Sequence, residues 1–304
     1  MKKTNIETLQ LQDFFSNECP LLPLFPEILV FLHHETNQPM RLDKLLVARG
    51  LFPSRERAQD AIVQHTVTVN GKLIDKPSKE VADDAAVEVI DIFNKYVSRG
   101  GLKLEKAIAD FQLDFSGKSV LDIGSSTGGF TDCALKHGAA HVTAIDVGTR
   151  QLHPSLQGLP QVLSIENRDF RELTPQEVGN RQYDFIVSDV SFISLTYIIP
   201  YFHPFLKPDG QCMLLIKPQF EAGASFLNKS GIVTDEKGYK VAIHRVEMEA
   251  LNHGLHLNNL AISTLFEKVK NTEFLSLFSL TDNHFRIDYP DLFKQVKEVR
   301  KNLK

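Results

Sequence analysis

Hydrophobic positions change period twice between residues 41 and 91. Leu42, Leu45 and Leu46 recur at helical spacing, which predicts a short amphipathic helix over 41–49, closed by Gly50. Ser54 stands where a cap is needed for a second helix over 55–64. Val67-Thr68-Val69 then runs into Asn70-Gly71, a hairpin signal, and a last strand is predicted over 86–90. From about residue 100 a long alternation begins. Apolar runs predict strands at 119–123, 141–145, 162–165, 185–188, 212–216, 260–264 and 274–280, and helical patterns fall at 128–137, 194–206 and 239–252. The predicted fold class is α/β: a Rossmann-like, seven-stranded, mainly parallel sheet with a small N-terminal α+β domain. Such sheets bind ligands beyond the carboxyl ends of their strands, where strand order reverses.

The segment before residue 41 lacks this patterning. Its most apolar stretch, Leu21 to Leu32, is interrupted by Pro23, Pro26 and Glu27, too short and too broken for a spanning helix or a secretory signal. The expected organisation is an extension over 1–40, a small domain over 41–91, a linker over 92–99, a large domain over 100–284 and a basic C-terminal tail over 285–304. No membrane partner is expected.

A chain of 304 residues with 42% hydrophobic and 24% charged residues is a folded protein, not a disordered one. Its net charge of -4 argues against a surface coated in nucleic acid. The sum conceals an asymmetry, because Arg41, Lys44, Arg49, Arg55, Arg57 and Lys72 face only Asp43, Glu56 and Asp60 within residues 41–72. Cys19, Cys133 and Cys212 are too scattered for a disulfide framework or a thiolate metal site, so a reducing cytoplasm and no metal are expected.

The chemistry concentrates in Val120-Leu121-Asp122-Ile123-Gly124-Ser125-Ser126-Thr127-Gly128-Gly129-Phe130, a strand, a glycine loop and a helix. As a dinucleotide fingerprint it fails at Ser126, where a glycine must let backbone approach a pyrophosphate. As a nucleophile elbow, with Ser126 attacking and His203 or His244 as base, it comes too early, because the sheet begins at this strand. As an S-adenosylmethionine loop it is complete. Asp122 lies on the strand, Gly124 and Gly128 allow close approach, and Asp146 ends the next strand where ribose hydroxyls need a carboxylate. Asp169 follows the third strand, within reach of an adenine amino group. Ser126, Thr127, Gly129, Phe130 and Val147 complete the expected cofactor contacts.

Methyl transfer needs an aligned nucleophile and often a base. Asp189 ends the fourth strand and Lys217 the fifth. Asp189-Val190-Ser191-Phe192 lacks the prolines of the run that holds an amino group, and a neighbouring lysine suits a hydroxyl acceptor. Lys103 and Glu273 are the other candidates.

The small domain's residues, Arg41-Leu42-Asp43-Lys44-Leu45-Leu46, Gly50-Leu51, Ser54-Arg55 and Val69-Asn70-Gly71-Lys72, resemble the αL RNA-binding module. That resemblance implies that the six basic residues face RNA phosphates. Ser98 to Leu104, Asp122 to Asp132, Asp146 to Leu152, Asp189 to Ser194 and Lys217 to Gly223 resemble the TlyA family, in which this module is fused to an FtsJ-like methyltransferase domain. The resemblance implies an S-adenosylmethionine-dependent enzyme methylating a ribose 2′-hydroxyl of ribosomal RNA, with rRNA or ribosomal subunits as partners. It also implies a Lys103-Asp189-Lys217-Glu273 tetrad with Lys217 as base. The family's Pro- and Gly-rich loop is replaced here by Leu265-Phe266-Glu267-Lys268-Val269-Lys270, with Glu267 the less favoured substitute for Glu273. Two other functions stand beside it: a non-catalytic ribosome-assembly factor that keeps the cofactor fold, and a pore-former, since relatives are often called haemolysins.

Overall fold

A computed structural model describes residues 39–52, 54–63, 67–89, 95–263 and 271–302. In the small domain, β1 (Met40–Arg41) leads into α1 (Leu42–Ala48) and α2 (Arg55–Val63), followed by β2 (Val67–Val69), β3 (Lys72–Leu73), β4 (Glu80–Val81) and β5 (Val87–Val89). Asn70 and Gly71 both take positive φ (51° and 72°), the geometry a two-residue hairpin between right-twisted strands requires. The leucine triplet of α1 is fully buried against Ala58, Ala61 and Ile62 of α2, so the predicted helical stripe is this domain's core.

The large domain begins with α3 (Gly100–Phe111), β6 (Ser119–Ile123), α4 (Gly129–Lys136), β7 (His141–Ile145), β8 (Val162–Ile165) and β9 (Tyr183–Ser188). It continues with β10 (Leu206–Ile216), α5 (Pro218–Glu221), α6 (Glu236–Asn252), β11 (His256–Ile262), β12 (Phe274–Ser279) and α7 (Tyr289–Asn302). These seven strands form one sheet in the order β11-β12-β10-β9-β6-β7-β8. β12 is antiparallel to both its neighbours, and the pairs from β10 to β8 are parallel. Strand order reverses between β6 and β9, which fixes the crevice beyond their carboxyl ends as the ligand position. Alternate residues feed two cores: Ile186, Leu214 and Phe274 pack with α6 and α7, while Val187, Leu215 and Leu275 pack under α3 and α4.

Three expectations change. The helix predicted over 194–206 is two 3₁₀ turns, Leu195–Tyr197 and Ile199–Tyr201. Pro200 and Pro204 each lack an N–H and push the preceding residue away from helical angles, so an α-helix cannot propagate there. Residues 95–97, expected in a linker, are built into the large domain: Tyr96 is buried and the Val97 N–H donates to the Asp132 carboxylate at 2.9 Å. The C-terminal stretch expected as a tail carries α7, whose Leu292, Phe293 and Val296 are buried in the sheet's core. Residues 1–38, Cys19, the loop 264–270 with Glu267, and 92–94 of the linker lie outside the described residues; Cys133 and Cys212 are buried free thiols.

Candidate active site

The glycine loop opens at the carboxyl end of β6. Gly124 and Ser125 both donate backbone N–H groups to the Ile145 carbonyl (2.9 and 3.0 Å), which ties the loop to the end of β7. Gly124 adopts φ 78°, and a Cβ there would lie 2.8 Å from Val190 Cγ1. Only glycine lets the β6 loop meet the β9 loop this closely, and they meet at the strand-order switch. Gly128 (φ 90°) caps α4, and Ser126 takes a positive φ of 48°.

Asp146 follows β7. Its Oδ2 accepts from the Ser126 N–H and its Oδ1 from the Gly148 N–H, each at 2.7 Å. A carboxylate offers about four lone-pair positions. These two bonds fix its plane and leave one position on each oxygen, the pair of acceptors to which a cis-diol can donate. S-adenosylmethionine therefore fits the residues present. The loop after Asp146 is held by a residue sequence reasoning passed over: Glu166 accepts from the N–H groups of Arg150, Gln151 and Leu152.

Other expected cofactor residues fall differently. Asp122 is 1% exposed and accepts from Thr131 Oγ1 at 2.6 Å, so it acts through the loop and α4 rather than at a surface. Burial raises its pKa to about 7, the charges of Asp189 and Asp146 adding to the effect and Thr131 opposing it. The Phe130 ring packs in the core beneath α3. Asp169 caps the turn Phe170–Glu172 and is bound by the Arg171 guanidinium, which already occupies both its oxygens. Val147 is exposed, as are Ser126 and Thr127.

The four residues expected to act in transfer come together. Lys103 Nζ, from the first turn of α3, lies 3.1 Å from Asp189 Oδ2 and 2.8 Å from Glu273 Oε2. Lys217 Nζ lies 2.7 Å from Asp189 Oδ1 and donates to Ser191 Oγ (2.7 Å) and the Asp189 carbonyl (3.3 Å). Strand parity explains the convergence. Asp189, Lys217 and Glu273 each stand two positions from a residue of the α3-side core (Val187, Leu215 and Leu275), so all three share the sheet face that α3 covers. The α3 helix reaches them through glycines. A Cβ on Gly101 would lie 2.4 Å from Tyr96 Cγ, and one on Gly129 only 2.9 Å from the Gly101 nitrogen, so the helix N-termini abut.

Two formal positive and two formal negative charges balance in this cluster. Burial works against the charge on Lys103, but Asp189 and Glu273 outweigh it and raise its pKa. Lys103 is thus a fixed cation holding two carboxylates. Asp189 Oδ1 is buried and pairs with Lys217. Asn271 positions the segment before Glu273, accepting from the Val233 N–H and donating to the Gly231 carbonyl. Sequence reasoning also missed Glu221. It is 1% exposed, and its carboxylate accepts from the Leu195 N–H (2.8 Å) and from Ser194 Oγ, clamping the loop after Asp189 onto the helix after Lys217. Phe192 stands on that loop, 93% exposed with φ 65°, against the Phe220 ring.

In the small domain, Asp43 is fully buried and gathers Arg41, Arg55 and Gln59, which hold its carboxyl far below the usual carboxylate range. Arg49 donates to the carbonyls of Asp83 and Ala85. Lys44 and Lys72 are exposed, and the Arg57 side chain lies outside the described residues. Three of the expected RNA contacts thus also brace the domain, with the side chains of Arg41 and Arg55 still 40% and 50% exposed. Among the described residues, no helix is long and apolar enough to cross a membrane.

Comparison with known proteins agrees with this architecture. Residues 96–279 match the FtsJ-like methyltransferase family model, and residues 40–87 match the S4 domain model. The chain is 38% identical over 244 residues to the 16S/23S rRNA (cytidine-2′-O)-methyltransferase TlyA of Mycobacterium tuberculosis, covering 80% of this chain and 91% of that one. It is 39% identical over 239 residues to Hemolysin A of Brachyspira hyodysenteriae, covering 79% and 99%. A solved structure from Streptococcus thermophilus superposes with a TM-score of 0.69 at 36% identity, over 88% of this chain and 98% of that one. An S4 domain joined to an FtsJ-like methyltransferase domain over most of the length makes this chain a member of the TlyA family.

Proposed function

We propose that the protein transfers the methyl group of S-adenosylmethionine to a ribose 2′-hydroxyl of ribosomal RNA, with Lys217 as base. The observation that carries this reading is the closed cluster of Lys103, Asp189, Lys217 and Glu273 at the carboxyl edge of the sheet, beside the glycine loop. When bound, the cofactor supplies an electrophilic methyl on a sulfonium. The residues of the chain do the rest.

Asp146 orients the cofactor ribose through its two remaining acceptor positions. Asp189, paired with both lysines, holds Lys217 toward the substrate hydroxyl. Lys103 is tied by two carboxylates and Lys217 by one of them, so in this reading Lys103 is the anchor and Lys217 the base. Lys217 would take the hydroxyl proton as the ribose oxygen accepts the methyl group that the bound cofactor would supply. Phe192, exposed beside this point, offers a ring on which an unstacked base can rest. The S4 domain holds structured RNA through phosphates.

Unmodified ribosomal subunits incubated with the protein and labelled cofactor test the reading. The wild type labels RNA, and Lys217→Ala abolishes labelling while cofactor binding persists. A fully active variant sinks the assignment of the base. Wild type that binds cofactor but never labels RNA supports an assembly factor instead.

A further inference from the structure

The face of the large domain remote from α3 carries a groove that the proposed site does not use. Helix α6 forms one wall, and α7 with the strand of chain leading into it forms the other. Its two connected parts, about 650 and 490 Å³, share Lys240 and Tyr289. Five exposed cations line it: Lys237 and Lys240 from α6, Arg286 before α7, and Lys294 and Lys297 on α7. The acids among the lining residues are Glu236 and Glu247, and Lys297 neutralises Glu236 at 2.7 Å. Lys240 lies over the Tyr289 ring, 4.7 Å from its centroid, so the groove also has an aromatic floor.

We infer that this groove is a second RNA-binding surface, which takes the phosphate backbone of the substrate strand outside the S4 domain. The inference rests on the RNA reading above and extends it. Three features favour a polynucleotide. A net excess of cations in a chain of net charge -4 is the electrostatic footprint of a phosphate ligand. Lys237 with Lys240 and Lys294 with Lys297 stand at i and i+3, about 4.5 Å apart along each helix axis, an elongated row suited to a chain of phosphates. Helix α7 is also tied to the segment that carries Glu273, because Arg300 donates to Thr272 Oγ1 (3.0 Å).

The salt dependence of RNA binding tests this. Each lost phosphate contact on a single strand lowers the slope of log affinity against log salt by about 0.7. Lys240→Ala/Lys294→Ala therefore lowers the slope for ribosomal RNA by about 1.4. Between 50 and 200 mM KCl the wild type then loses roughly sevenfold more affinity than the variant. Thermal melting and cofactor binding stay at wild-type values. A control, Lys106→Ala/Lys118→Ala, removes the same charge elsewhere and retains the wild-type slope. A groove variant that keeps the wild-type slope, or a control that loses as much as the groove variant, overturns the inference. Wild type with no salt-dependent RNA binding overturns the functional reading as well, so the two failures are told apart by the wild type alone.

Discussion

Asp122 makes the glycine loop a place where stability is given up, and Asp122→Asn measures how much. The carboxyl is 1% exposed within β6, and burial raises its pKa from 3.8 to about 7. Between those values the folded protein holds a proton that the unfolded chain releases. Stability therefore falls as pH rises through this window and levels off above pH 7. A shift of about three units at about 1.4 kcal/mol each corresponds to a penalty on the order of 4 kcal/mol at pH 8. Asparagine has the same shape and no charge, and it keeps its place beside Thr131 because that hydroxyl can donate or accept. Urea unfolding of both proteins at pH 4, 6 and 8 gives the test. The expected result is near-equal stability at pH 4 and a variant more stable by up to about 4 kcal/mol at pH 8. A difference that does not change with pH, or a wild type more stable than the variant at pH 8, refutes the reasoning.

Gly101→Ala pushes a Cβ to 2.4 Å from Tyr96 Cγ, a ring atom close to the backbone that cannot swing aside. A loss of about 1–3 kcal/mol in thermal unfolding is expected, with a fall in methyl transfer because Lys103 rides on the same turn. Glu221→Ala leaves the buried Leu195 N–H without its acceptor and frees the loop that carries Ser191. Methyl transfer should drop at least tenfold with cofactor affinity unchanged, and Glu221→Gln, which can accept and donate at the same two points, should restore most of it. Equal activity of the two variants would remove Glu221 from the positioning of the site.

Most of the fold and much of the site were legible along the chain because their signals are local. Apolar runs marked strands buried on both faces, and the two-residue repeat of strand geometry then fixes the side on which Asp189, Lys217 and Glu273 emerge. The Asn-Gly pair set the hairpin of the small domain, since its φ values suit no bulkier pair as well. The Gly124 and Gly128 positions announced a loop where backbones pass closely. Even the failure at 194–206 had its signal in Pro200 and Pro204, which spacing alone underweighted.

What tertiary structure decided was pairing between distant residues, and no period encodes that. Lys103 lies 86 positions from Asp189, and only the abutting glycines of α3 and α4 bring its ammonium between two carboxylates. Asp122 reads as a ligand residue until burial shows it to be a near-neutral acid inside the sheet. Arg41 and Arg55 read as phosphate contacts until Asp43 is found gathering both. The basic C-terminal stretch reads as a tail until Leu292, Phe293 and Val296 reach the core and turn its lysines toward α6. Each case turns on the energy of a charge, which depends on the solvent and partners left to it after folding and not on its neighbours in sequence.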